Sequence, residues 1–104
     1  MTEDEIYDNL KDSITSYFDK VKSFTELMDE IIEIGQTDDI AALNGVYLCL
    51  HKGKAKNIEE ISYVNMINYI KEKNNDVYEK IRQNITKAGS GEISLRWSIK
   101  DKKE

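Results

Sequence analysis

Apolar positions recur at helical spacing along most of the chain, and the first 35 residues show it most clearly. Ile6, Leu10, Ile14, Tyr17 and Val21 follow one another every three or four residues and so share one stripe of a helix. Thr2-Glu3-Asp4-Glu5 stands ahead of the stripe as a capping box, with acidic side chains at the positive end of the helix dipole. The stripe continues through Phe24, Met28 and Ile31, and two readings are open. Ser23-Phe24-Thr25-Glu26 is a second capping box and favours a fresh helix ending near Gly35. Without a break, the stripe becomes the seam of one long helix, able to pair with a second copy.

Thr37-Asp38-Asp39 caps the next helix, whose buried stripe is Ile40, Leu43, Tyr47 and Leu50. His51, Lys52 and Gly53 have the character of a C-terminus. "GVYLCLH", residues 45–51, also fits a strand because Val46, Leu48 and Leu50 alternate, although the caps favour helix. "KGKAK", 52–56, reads as a short basic loop. Asn57-Ile58-Glu59-Glu60 opens a helix over 57–71 that carries Ile58, Ile61, Val64, Ile67 and Ile70. "KEKNND" breaks it. Asn74 or Asn75 caps a last helix over 75–87, with Tyr78, Ile81, Ile85 and Ala88 facing inward and Gly89 ending it.

The period then changes. Ile93, Leu95, Trp97 and Ile99 alternate with Ser94, Arg96, Ser98 and Lys100, which predicts a strand over 92–100. A single strand cannot satisfy its own backbone groups. Its partner would be residues 85–88 in a hairpin across Gly89-Ser90-Gly91, the 45–51 segment, or a second copy. Two helices, a short break and a hairpin resemble a winged helix-turn-helix domain in element order alone. That resemblance makes 57–71 the supporting helix, 75–87 the recognition helix and 92–100 part of the wing. The expected fold is mainly α, about five helices with a C-terminal β-strand or hairpin. Its 104 residues suit one domain, with an acidic helical part at 1–36 and a winged-helix part at 37–104.

Charge divides the chain. Residues 1–45 hold 12 acidic and 3 basic side chains, and residues 46–104 hold 8 acidic and 12 basic ones. The second half therefore suits a polyanion. Lys80, Gln83, Asn84 and Lys87, spaced i, i+3, i+4, i+7, share a face of the last helix, flanked by Arg82 and Thr86. Lysine suits phosphate, and Gln and Asn can pair with adenine edges in the major groove. Arg96 and Lys100 extend the set on the strand. The expected function is double-stranded DNA binding by a dimeric regulator or accessory factor. The rival is an acidic protein-binding inhibitor or DNA mimic, in which Glu3, Asp4, Glu5, Asp8, Asp12, Asp19, Asp29, Glu30 and Glu33 imitate a row of phosphates.

Candidate chemistry changes little. One cysteine and one histidine exclude a Cys/His zinc site within one chain. Gly89-Ser90-Gly91 lacks the Lys-Ser/Thr pair and spaced glycines of a phosphate loop, and no nucleophile–base arrangement is legible. Neither enzymatic activity nor a cofactor is expected. No apolar run approaches the ~18 residues of a membrane span, and the N-terminus lacks a signal-peptide layout, so a cytoplasmic protein is expected. Lysine outnumbers arginine 13 to 2 and proline is absent, the bias of an AT-rich genome such as that of a phage or plasmid host.

Overall fold

The computed structural model describes residues 2–93, apart from the side chain of Glu3. Five helices account for its regular structure: α1 (Glu3–Phe18), α2 (Phe24–Gly35), α3 (Asp39–Lys56), α4 (Tyr63–Lys73) and α5 (Asn75–Gly89). α2 and α3 each pack against all four other helices, whereas α1 meets neither α4 nor α5. The bundle thus has three layers, α1, then α2 with α3, then the α4–α5 pair.

Both N-terminal capping boxes form. Thr2 Oγ1 accepts from the Glu5 N–H at 3.2 Å while Glu5 Oε1 accepts from the Thr2 N–H at 2.8 Å, and Ser23 and Glu26 repeat the exchange at 3.2 and 2.9 Å. Four groups that helix starts leave orphaned are thereby satisfied, and α1 and α2 are separate helices. Lys20 takes the left-handed conformation at φ 66°, and the Val21 N–H donates back to Ser16 C=O at 2.8 Å. That Schellman turn ends the α1 stripe early. Tyr7, Leu10, Ile14 and Tyr17 are buried, while Val21 is 78% exposed. Leu10, Ile14, Met28 and Ile31 are fully buried within the bundle, so the expected dimer seam is consumed by the chain's own core.

Between residues 41 and 50 α3 is buried on nearly every side, which explains why that stretch admitted a strand. Residues 41–46 are all buried. A Cβ on Gly45 would stand 3.1 Å from Leu10 Cδ2, so glycine lets α1 approach closely. Asn44, 1% exposed, donates from Nδ2 to Ile40 C=O at 2.9 Å and to Tyr7 Oη at 3.3 Å.

Several expectations are corrected. "KGKAK" is the last turn of α3, since buried Gly53 lies against Ile61 and Asn57 closes the helix at φ 58°. Asn57 therefore ends a helix where it was expected to start one. α4 begins after Ser62, whose Oγ accepts from the Asn65 N–H at 3.1 Å, and Val64 is 63% exposed. The break expected at "KEKNND" is there, narrowed to one residue: Asn74 donates its N–H to Ile70 C=O at 2.8 Å and accepts from the Val77 N–H at 3.1 Å, ending α4 and starting α5.

The C-terminal β element is overturned as far as the described residues reach, for they contain no strand. Residues 85–88 lie in α5 and cannot be one arm of a hairpin. Gly89-Ser90-Gly91 is a helix stop. Gly91 at φ +85° lets the Glu92 N–H reach Lys87 C=O at 2.9 Å and the Gly91 N–H reach Ala88 C=O at 3.2 Å. The rest of the expected wing, from Ser94 on, lies outside the described residues. The winged helix-turn-helix assignment falls with the hairpin.

Candidate functional site

The α5 residues singled out from spacing do not form one face. Lys80, Arg82, Gln83, Thr86 and Lys87 are exposed, but Asn84 is 4% exposed and donates from Nδ2 to Asp39 Oδ2 at 2.8 Å. The inner stripe of α5 runs through Val77, Ile81 and Asn84, with Tyr78 and Ile85 only half-buried. The helix is therefore rotated relative to the expected inward set. The apolar residue Val77, about one turn before Ile81 and two before Asn84, was the available signal for that rotation.

Lys80, Gln83 and Lys87 keep one exposed flank at helical spacing, and Asp76 falls on it four residues before Lys80. Arg82 lies on the other flank, where its Nε and Nη2 donate to Glu79 Oε1 at 3.2 and 3.0 Å. In α4, Lys71 stands 5.4 Å from the centre of the Tyr78 ring and Lys73 5.6 Å from that of Tyr69. Arg96 and Lys100 lie outside the described residues. From residue 36 to 93 the chain carries eight acidic and eight basic side chains, a net charge of zero.

The opposite layer differs. Residues 2–35 carry ten acidic and three basic side chains, a net of −7. Asp8, Asp12, Asp29 and Glu33 are exposed. Glu30 is half-buried and accepts from both Lys22 Nζ and Ser13 Oγ, a tie between α1, the connecting turn and α2. Asp29 Oδ1 accepts from Tyr69 Oη at 2.7 Å, which holds the Tyr69 phenol above its ordinary pKa. A groove runs between α1 and α2. Half-buried Ile6 and Ile34 line it together with the carboxylates of Asp12, Glu30 and Glu33. Ile34, three residues beyond Ile31, completes a floor that the stripe reading of α2 left out.

A second groove lies at the other end of the α1–α2 pair. It is lined by Tyr17, Phe18, Val21, Phe24 and Ile58 and carries Lys20 and Lys22 as well as Glu26 and Glu60. Tyr17 Oη donates to Glu60 at 2.6 Å, and burial together with that carboxylate raises the phenol's pKa. Among the described residues no group of three or more His, Cys, Asp and Glu side chains is placed to hold a metal ion. Cys49 is buried, and desolvation pushes its thiol up to about 12, so it is protonated and shielded. The described residues thus present two surface grooves beside a layer of one-signed charge. Comparison of the chain with protein-family models, curated proteins and solved structures finds no match.

Proposed function

We propose that this protein is a protein-binding module whose acidic α1–α2 layer engages a basic, polyanion-binding surface of another protein and so competes with nucleic acid for it. The observation that carries the reading is the segregation of charge: a net of −7 over residues 2–35 against zero over residues 36–93. A one-sided field of this kind speeds encounter with a cationic surface and repels nucleic acid. Asp8, Asp12 and Glu33 supply exposed carboxylates on two packed helices, and Asp12 and Glu33 line the same groove. The lysine-rich, proline-free composition supports an origin in an AT-rich genome, such as that of a phage or plasmid host. No helix among the described residues is long and apolar enough to cross a membrane.

The test begins with capture of partners on the immobilised chain and continues with the captured protein in purified form. Its binding to duplex DNA, read by fluorescence anisotropy, is expected to fall on addition of this chain. It is expected to be untouched by the Asp8→Lys/Asp12→Lys/Glu33→Lys variant. A partner displaced equally by both proteins overturns the reading.

A second reading rests on the exposed flank of Lys80, Gln83 and Lys87. There the chain itself would bind duplex DNA, the lysines on phosphates and Gln83 on a base edge. Direct, salt-sensitive binding to DNA that is lost in Lys80→Ala/Lys87→Ala would favour it over the first.

A further inference from the structure

We infer that the α1–α2 groove is the anchor point of the acidic layer, and that its occupant is a helical segment of another protein presenting one large apolar side chain with an arginine about one turn to either side. The inference rests on the proposed protein-binding role of that layer and names what the layer grips.

The groove has an apolar floor and acids on both walls. Half-buried Ile6 of α1 and Ile34 of α2 supply the floor, and Asp12 and Glu33 stand on the two opposite helices. Asp12 lies ~9 Å along α1 from Ile6, whereas Glu33 is next to Ile34 in α2, so the two acids are staggered along the groove. The volume is about 320 Å³, at the small end of the ~300–1,000 Å³ of ligand pockets, which suits a few side chains.

The acids of the groove divide into used and unused. Glu30 accepts from Ser13 Oγ and Lys22 Nζ, so its charge is spent inside the fold. Asp12 and Glu33 are exposed, and their side chains have no partner among the described residues. The second groove is arranged otherwise. There Glu26 accepts from the Ser23 N–H, Glu60 from Tyr17 Oη, and Lys22 is paired with Glu30, which leaves the cation Lys20. Of the two grooves, the one between α1 and α2 combines half-buried isoleucines with uncancelled carboxylates.

That combination selects the occupant. A purely polar polycation would answer the carboxylates and leave the isoleucines in water. An apolar segment without cations would desolvate Asp12 and Glu33 and give them no partner, which is costly. Arginine meets both demands, because its fork pairs with a carboxylate while its stem lies on apolar surface. A helix sets residues three or four apart on one face, and an amphipathic helix laid in a groove is a recurring mode of recognition.

The probe is a fluorescein-labelled, alanine-rich peptide of ~18 residues carrying Arg, Leu and Arg at i, i+4 and i+8. Fluorescence anisotropy reads its binding to the full chain. Replacing the peptide's leucine with serine, at unchanged charge, is expected to weaken binding roughly ten-fold. In the chain, Asp12→Asn/Glu33→Gln is expected to weaken it roughly ten-fold and to flatten its salt dependence. Glu59→Gln/Glu72→Gln, which removes two exposed acids outside the groove, is expected to stay within about two-fold. Circular dichroism confirms that each variant keeps its helices. Methyl NMR spectra of the complex are expected to show shifts at Ile6 and Ile34 and none at Ile58, which lines the second groove.

Absence of saturable binding overturns the inference, and so do shifts confined to Ile58. A serine peptide that binds as tightly as the leucine peptide overturns it too, because the layer is then a diffuse charge surface, an outcome that leaves the proposed function standing. Sedimentation of the chain alone tests for a second copy: a dimer that Asp12→Asn/Glu33→Gln dissolves gives the groove to that copy and overturns the inference as well. Binding of the peptide in the groove, combined with a captured partner that stays on its DNA, would sink the proposed function and leave the groove's specificity in place.

Discussion

The α1–α2 pair and the α4–α5 pair are built alike and behave differently toward solvent. Each pair buries an apolar stripe against the centre of the bundle, and each helix opens on a side-chain cap. On α1 and α2 the outward charges are almost all of one sign. On α4 and α5 three of the cations stand on their own acids and rings: Arg82 on Glu79, Lys71 over Tyr78 and Lys73 over Tyr69. The difference teaches that a count of lysines on a helix does not give its field. The field is what remains after near neighbours cancel, and by that measure the acidic layer is the stronger feature of the described molecule.

The harshest way to break the comparison is to ask whether the two pairs are one cooperative unit. Leu10→Ala in α1 and Ile81→Ala in α5 each empty a fully buried site and should each cost about 3 kcal/mol. Urea unfolding followed by circular dichroism should show a single shifted transition for both. Two separate transitions would make the outer pairs independent units.

A smaller effect tests the contact that misled the reading of residues 52–62. A Cβ on Gly53 would stand 2.6 Å from Ile61 Cγ2, so Gly53→Ala should destabilise by about 1–3 kcal/mol. Gly89, with open space around it, should accept alanine at no cost or with a gain of up to ~1 kcal/mol. Thermal melts of the two variants should therefore move in opposite directions, or Gly89→Ala should not move at all.

Neighbouring residues on α5 sharpen the assignment of its faces. Asn84→Ala removes a donor from Asp39 in a buried setting and should cost about 1–2 kcal/mol. Gln83→Ala, on the exposed flank, should stay within about 0.5 kcal/mol of wild type. Equal losses in denaturant titrations would return Asn84 to the surface.

The smallest effect concerns the caps of the acidic layer. The hydrogen bonds from Thr2 and Ser23 hold the Glu5 and Glu26 carboxyls below their ordinary value of 4.5. A carboxyl whose folded pKa is depressed contributes stability above its unfolded value and loses it as pH falls through the folded one. Stability should thus decline as pH drops below about 4.5, and Glu5→Gln/Glu26→Gln should flatten that limb. An unchanged acid limb in the double variant would show that the caps do not titrate with folding.

Legibility followed range. Thr2 with Glu5 and Ser23 with Glu26 could be read from four consecutive letters because the bonds they make span three residues. The helix over 45–51 was favoured by its caps, yet it shared a strand pattern because α3 is covered on nearly all sides between residues 41 and 50, which erases the period that separates helix from strand. Asn57 was misplaced because an asparagine that starts a helix and one that ends it in the left-handed conformation look the same in sequence. The position of Ile61 against Gly53 decided between them. The α5 face was misjudged by part of a turn because Asn84 looks like a surface residue until Asp39 is placed beside it.

By itself, then, the sequence determined what lies within a turn or two along the chain: the helix starts at Thr2, Ser23 and Asp38, the stripes that must be buried, and the uneven distribution of charge. Tertiary structure decided which side of α5 faces inward, where α3 ends, that the α1–α2 stripe is spent within one chain, and that Ile6 and Ile34 meet beside Asp12 and Glu33 in a groove. The physical reason is that caps and periodicity are settled by neighbours a few residues apart, whereas burial and the local field depend on side chains that only folding brings together.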